Sequence, residues 1–138
     1  MNQAYMPKSK SDVHITPDRV WSMIHELWGW NKEEFFDPCP VDYKLNGLLI
    51  NWKDMNYVNP PYSRQKGEKK SLLTLFVDKA LKETLLNNST TVMLLPSKTD
   101  QEWFHKIKEF DMIWIRGRLK FVGNEWSATQ PHFLVKIN

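Results

Sequence analysis

The sequence predicts an α/β domain whose sheet is mainly parallel with an antiparallel end, and three observations carry that prediction. Apolar residues recur at helical spacing in two separated segments, a β-rich apolar run typical of a strand buried on both faces lies between helical segments, and the last third holds consecutive strand-like runs. The order strand, helix, strand, helix, strand and then further strands implies helices packed on the faces of one sheet. At 138 residues the chain forms one domain with a single core. Residues 1–13 are polar and read as a flexible arm, leaving 14–138 as the folded domain.

The elements follow in order. Thr16-Pro17-Asp18 supplies an N-cap, a proline at the first helical position and an acid in the first turn. Val20, Trp21, Ile24, Leu27 and Trp28 then repeat at helical spacing up to Gly29. Phe35-Phe36 reads as a short strand running into Asp37-Pro38-Cys39-Pro40, a proline-stiffened loop. After the Asn46-Gly47 turn and the imperfect alternation of Leu48 to Trp52, Asn56 to Val58 forms a strand that delivers Asn59-Pro60-Pro61-Tyr62 at its carboxyl end. Leu73, Phe76, Val77, Ala80 and Leu81 mark a covering helix, Thr91 to Leu95 a buried strand stopped by Pro96, and Asp100 a cap for a helix bearing Trp103, Phe104 and Ile107. Met112 to Ile115, Leu119 to Val122 and Phe133 to Ile137 read as three further strands, with Gly117 turning between the first two.

Composition narrows the functional classes. No apolar run approaches the roughly 18 residues of a membrane span, and the polar start lacks a secretory apolar region, so a soluble cytoplasmic protein is expected. The lone Cys39 excludes an internal disulfide, and without a partner cysteine or a spaced His pair no metal site is expected. The net charge of +3 is uneven: residues 60–122 carry +5 and the remainder −2. That excess suits a polyanion approaching the face of the Asn59 motif, although a solvated surface would look the same.

Asn59-Pro60-Pro61-Tyr62 carries the chemistry. Successive prolines fix both φ angles and remove two N–H groups, so nearby carbonyls point outward as acceptors beside the Asn59 amide and the Tyr62 ring. Such a set suits methyl transfer to a planar exocyclic amine: acceptors grip both amine hydrogens, the ring stacks on the base, and no strong base or covalent nucleophile is required. A base in a duplex would first have to leave the stack.

At these residues the chain resembles the phage and prophage DNA N-6-adenine methyltransferases, within the larger class of S-adenosylmethionine-dependent amino-methyltransferases. Asn59 to Tyr62 is similar to the class motif of Asp or Asn, two prolines and an aromatic residue. Ile15-Thr16-Pro17 resembles the segment that opens the helix beside the cofactor's methionine part, and Asp37-Pro38-Cys39 sits where the class has its first cofactor strand and loop. Gly47-Leu48, Trp52, Leu95 to Asp100, Trp103-Phe104-His105, Gly117 to Phe121 and Pro131 to Val135 also match the narrower family.

The resemblance implies a reduced Rossmann-like methyltransferase sheet, S-adenosylmethionine as cofactor, DNA as partner and a bacterial host cell as location. It assigns catalysis to Asn59, Pro60, Pro61 and Tyr62, and cofactor binding to Thr16, Pro17, Asp37, Pro38 and Cys39. Phosphate contacts fall to Ser63, Arg64, Lys98 and Arg118. A chain with no room for a recognition domain tolerates many sequence contexts, dimerises or borrows a specificity partner. Two features depart from the class. Prolines occupy the usual glycine-rich cofactor turn, and only about twenty residues separate Asp37 from Asn59, so Asp42 and Asp54 are the acids open for the cofactor ribose. The competing readings are methylation of an RNA amine or a protein glutamine, and a nucleic-acid-binding or regulatory derivative with reduced catalysis.

Overall fold

The computed structural model describes residues 15–40 and 46–138. Its sheet has four strands in the order β1-β2-β4-β3, where β1 is Met55–Val58, β2 is Thr90–Pro96, β3 is Asp111–Trp114 and β4 is His132–Ile137. β1 and β2 are parallel, and β4 lies between β2 and β3 antiparallel to both, so β1, β2 and β3 share one direction. Phe36 extends the sheet beyond β1 through a parallel bridge to Asn56, made by Phe36 N–H to the Met55 carbonyl and Tyr57 N–H to the Phe36 carbonyl.

Alternation along the strands divides the core into two layers. Tyr57, Val92, Leu94 and Leu134 pack with Val20 and Ile24 of α1 (Asp18–Trp28) on one face. Val58, Met93, Leu95, Phe133, Val135 and Ile137 pack on the other against α2 (Leu72–Asn87) and α3 (Glu102–Ile107). Trp52 and Trp103 belong to this second layer, stacked against Phe76 and Phe133, as expected of large buried rings. α1 ends at Gly29, whose left-handed φ of 77° closes the last turn on the His25 carbonyl.

Several local expectations give way. The cap position of α1 is Pro17, not Thr16, and makes no side-chain cap bond, because the Thr16 hydroxyl is turned toward Tyr57. Gln101, not Asp100, precedes α3, again without a side-chain cap bond. Phe36 contributes a single bridge instead of a strand, and Leu48 to Trp52 runs as irregular backbone held by turns. Leu119 to Val122 is not a strand either: the Leu119 carbonyl accepts from Ala128 N–H and Val122 N–H donates to Ile15, so its backbone bonds go to loops.

A buried carboxylate pins the loop before β1 to α2. Glu83, 2% exposed, accepts from the Trp52 backbone N–H at 3.0 Å, Lys79 Nζ at 3.0 Å and Asn87 Nδ2 at 3.2 Å. Burial pushes its carboxyl upward, but these three donors outweigh burial and hold it below the ordinary value of 4.5. A depressed carboxylate contributes stability that is complete above its unfolded value and disappears as pH falls through the folded one. Melting temperature should therefore drop as pH is lowered below about 4.5. Glu83→Gln, which loses the ion pair, should melt lower at neutral pH and show a flatter acid limb; an acid limb identical to the parent's would contradict this account.

Candidate active site

Three chain segments reach the carboxyl edge of the sheet, where ligand crevices of open α/β sheets lie. They are Asp37 after the Phe36 bridge, Asn59 after β1 and Ser97 after β2. Asp54 precedes β1 and so sits at the amino edge, roughly 16 Å of extended chain from Asn59. Asp54 is thus set at the edge opposite Asn59, and Asp42 lies outside the described residues.

Asn59 is half-buried, and its orientation is set by a short chain of hydrogen bonds. Its Nδ2 donates to Thr16 Oγ1 at 3.1 Å, and Thr16 Oγ1 meets the Tyr57 hydroxyl at 2.6 Å. Tyr57 lies on β1 and Asn59 just beyond its end, and both side chains meet Thr16 at the start of α1. Committing the amide nitrogen to Thr16 turns the amide oxygen to the opposite edge of the group. Burial drives the Tyr57 phenol far above its ordinary range, the Thr16 bond opposes this, and the nearby Asp37 carboxylate and Tyr62 reinforce it. The hydroxyl thus stays neutral. Pro60 and Pro61 are buried and stiffen the turn that follows.

Tyr62 is held from the far end of the chain. Its hydroxyl lies 2.7 Å from His132 Nε2, the two rings stack with centroids 6.5 Å apart, and His132 Nδ1 lies 3.1 Å from the Gln130 carbonyl. A carbonyl only accepts, so Nδ1 carries a proton, and a ring protonated there alone accepts from Tyr62 at Nε2. Burial raises the Tyr62 phenol well above its usual range, which keeps it a donor. The Tyr62 side chain lines a cavity of about 620 Å³ together with Pro96, Phe121, Trp126, Gln130 and His132. Trp126 is 76% exposed at its rim. The size lies within the range of small-molecule sites.

The remaining expected residues divide. Asp37 is exposed, and its Oδ1 accepts from Cys39 N–H at 2.8 Å in a tight turn that fixes the loop. Pro38 and Cys39 are buried, and the Pro38 carbonyl lies close against Gly47. Thr16 reaches Asn59 through its hydroxyl, and Pro17 stands at the cap position of α1. The Ser63 carbonyl accepts from Leu72 N–H at 2.8 Å, which closes the base of a loop bearing Arg64, and Arg64 is exposed on a second cleft. Lys98 is half-buried just beyond β2. Arg118 donates to the Thr129 carbonyl, tying down the wall of the Tyr62 cavity.

Tyr57 and His132 were not among the expected site residues. Tyr57 carried a signal, since a strand's period of two places it on the same face as Asn59. His132 fell within the Pro131 to Val135 match, but nothing local tied it to Tyr62, because the pairing of His132 with Pro96 that brings it to this edge joins segments far apart in sequence. Among the described residues no three His, Cys, Asp or Glu side chains group as metal ligands, and no helix is long and apolar enough to cross a membrane.

Comparison with known proteins names a family. A DNA N-6-adenine-methyltransferase of Haemophilus phage HP1 (strain HP1c1) is 27% identical over 141 residues, covering 91% of this chain and 75% of the phage protein. No solved structure matches. Residues 3–132, nearly the whole chain, match the family described as DNA N-6-adenine-methyltransferase (Dam), and the chain belongs to that family.

Proposed function

We propose that this protein transfers a methyl group from S-adenosylmethionine to the exocyclic amine of adenine in DNA, using Asn59, Pro60 and Tyr62 as its catalytic set. The observation that carries this reading is the Asn59 amide, oriented by Thr16 and Tyr57, on the same proline-stiffened turn that delivers the anchored ring of Tyr62 to the wall of a cavity. Adenine's amino lone pair is delocalised into its ring. Two acceptors, the Asn59 amide oxygen and the Pro60 carbonyl, bind the amine hydrogens, hold the nitrogen in place and favour its rehybridisation as charge develops. Tyr62 stacks on the base, which has left the duplex to reach it. Its hydroxyl is committed to His132, so the ring is pre-organised without a role in proton transfer.

The residues at the carboxyl edge fit the cofactor. An exposed Asp37 carboxylate beside the stiff Pro38-Cys39 turn, with Thr16 nearby, offers acceptors to a cationic, hydroxyl-bearing ligand. S-adenosylmethionine supplies the electrophilic methyl group. Three strands in one direction with the last strand inserted antiparallel support a reduced Rossmann-like sheet. In this reading Ser63, Arg64 and Lys98 contact phosphates near the target base, while Arg118, bonded to the Thr129 carbonyl, shapes the cavity wall.

Incubation with DNA and methyl-labelled cofactor, followed by digestion to nucleosides, should place the label in N6-methyldeoxyadenosine. Label in a cytosine derivative, or only in RNA or protein when those are supplied, would overturn the reading. A chain that binds DNA but transfers no label would instead be a regulatory derivative.

A further inference from the structure

A second cleft, of about 420 Å³, opens on the same edge of the sheet. Its walls come from the loop after Ser63, the first turn of α2 and α3. α2 follows β1 and α3 follows β2, so the first turns of both helices stand at the carboxyl ends of those strands, beside Asn59. Four cations line the cleft, Arg64, Lys69, Lys70 and Lys106, against one acid, Glu102. Beneath them Asp78 spans two of the four: one oxygen is 3.0 Å from Lys70 Nζ, the other 2.9 Å from Lys106 Nζ. These partly exposed ammonium groups are thereby held side by side on one carboxylate that offsets only part of their charge.

Resting on the functional reading above, we propose that this cleft binds phosphates of the DNA strand that carries the target base, and that Asp78 sets both its geometry and its affinity. Tyr62 lines one cavity and Arg64 the other. Two residues of chain span about 7 Å at most, equal to about two nucleotide rises of 3.4 Å along one strand. A base stacked on Tyr62 therefore brings its neighbouring phosphates within reach of the cleft. A fixed cluster of cations positions the backbone without reading its sequence, which suits a domain with no separate recognition module.

The test is the salt dependence of binding to a fluorescent duplex, measured on the intact protein. Every phosphate that the protein ceases to neutralise should lower the slope of log affinity against log salt by about 0.9. Lys69→Gln should flatten the slope by about one such step and Lys69→Gln/Lys106→Gln by about two, weakening binding at least roughly tenfold at low salt, with S-adenosylmethionine affinity unchanged. Asp78→Asn removes the opposing charge and should tighten DNA binding about two- to fivefold. A purely structural role for the Asp78 network would weaken it or leave it unmoved. Unaltered slopes in both lysine variants, or weaker or unmoved binding by Asp78→Asn, would overturn the proposal. Those results would leave adenine methylation by the parent protein intact, whereas absence of label in adenine with the slopes shifted as expected would sink the functional reading alone.

Discussion

Asn59→Ala should lower methyl transfer at least about 10²- to 10³-fold, the usual cost of deleting one pre-organised polar group aimed at a developing charge. The variant should stay folded. Asn59 is half-buried, and its Nδ2 bond to Thr16 is worth about 1 kcal/mol, so melting should fall by only a few degrees. Thr16 keeps its 2.6 Å partner in Tyr57, which leaves no stranded hydroxyl behind. Cofactor affinity should change little, because Asp37 lies on a separate segment braced by its own turn to Cys39. Single-turnover assays at saturating cofactor, with a titration of cofactor binding alongside, separate the effects. Turnover near that of the parent would remove Asn59 from the chemistry, and a collapse of cofactor affinity with preserved chemistry would reassign it.

The features of this site that were legible in the sequence are those with local causes. Paired prolines after a short β-rich run are enough to place Asn59 and Tyr62 at a strand's carboxyl end, and the helical stripes of α1 and α2 carry their own buried faces. What was illegible depends on partners far along the chain. Leu119 and Phe121 alternate with exposed neighbours as a strand would, yet their segment bonds to Ala128 and Ile15, so period alone named the wrong structure. The insertion of β4 between β2 and β3, which delivers His132 to Tyr62, is a matter of long-range register that no local pattern encodes. Thr16 illustrates a competition: its hydroxyl has the chemistry of a cap, and the Tyr57 phenol and Asn59 amide draw it away from the helix.

Gly47→Ala should produce the second large effect, through steric overlap instead of chemistry. A Cβ at Gly47 would lie 1.8 Å from the Pro38 carbonyl oxygen and 2.7 Å from its carbon, far inside any tolerable approach, and both atoms are backbone. Neither side yields easily. Pro38 is clamped between Asp37 and the Cys39 N–H that Asp37 accepts, while the Gly47 carbonyl accepts from the buried Trp52 indole at 2.8 Å. Withdrawing the Gly47 loop would orphan that indole N–H, and pushing Pro38 away would dismantle the turn that presents Asp37. Overpacking together with the loss of a buried hydrogen bond costs about 2–4 kcal/mol, a fall in melting temperature on the order of 10 °C for a domain of this size. Gly67→Ala is the matched control: nothing lies within 4 Å of its added Cβ, so only the positive φ of 84° is penalised, at about 1–2 kcal/mol. Calorimetry should therefore rank Gly47→Ala well below Gly67→Ala. At temperatures where both remain folded, only Gly47→Ala should weaken S-adenosylmethionine binding, since only it disturbs Asp37. Equal melting temperatures in the two variants would deny the close approach of the two loops, and undiminished cofactor affinity in folded Gly47→Ala would place the cofactor's contacts away from the Asp37 turn.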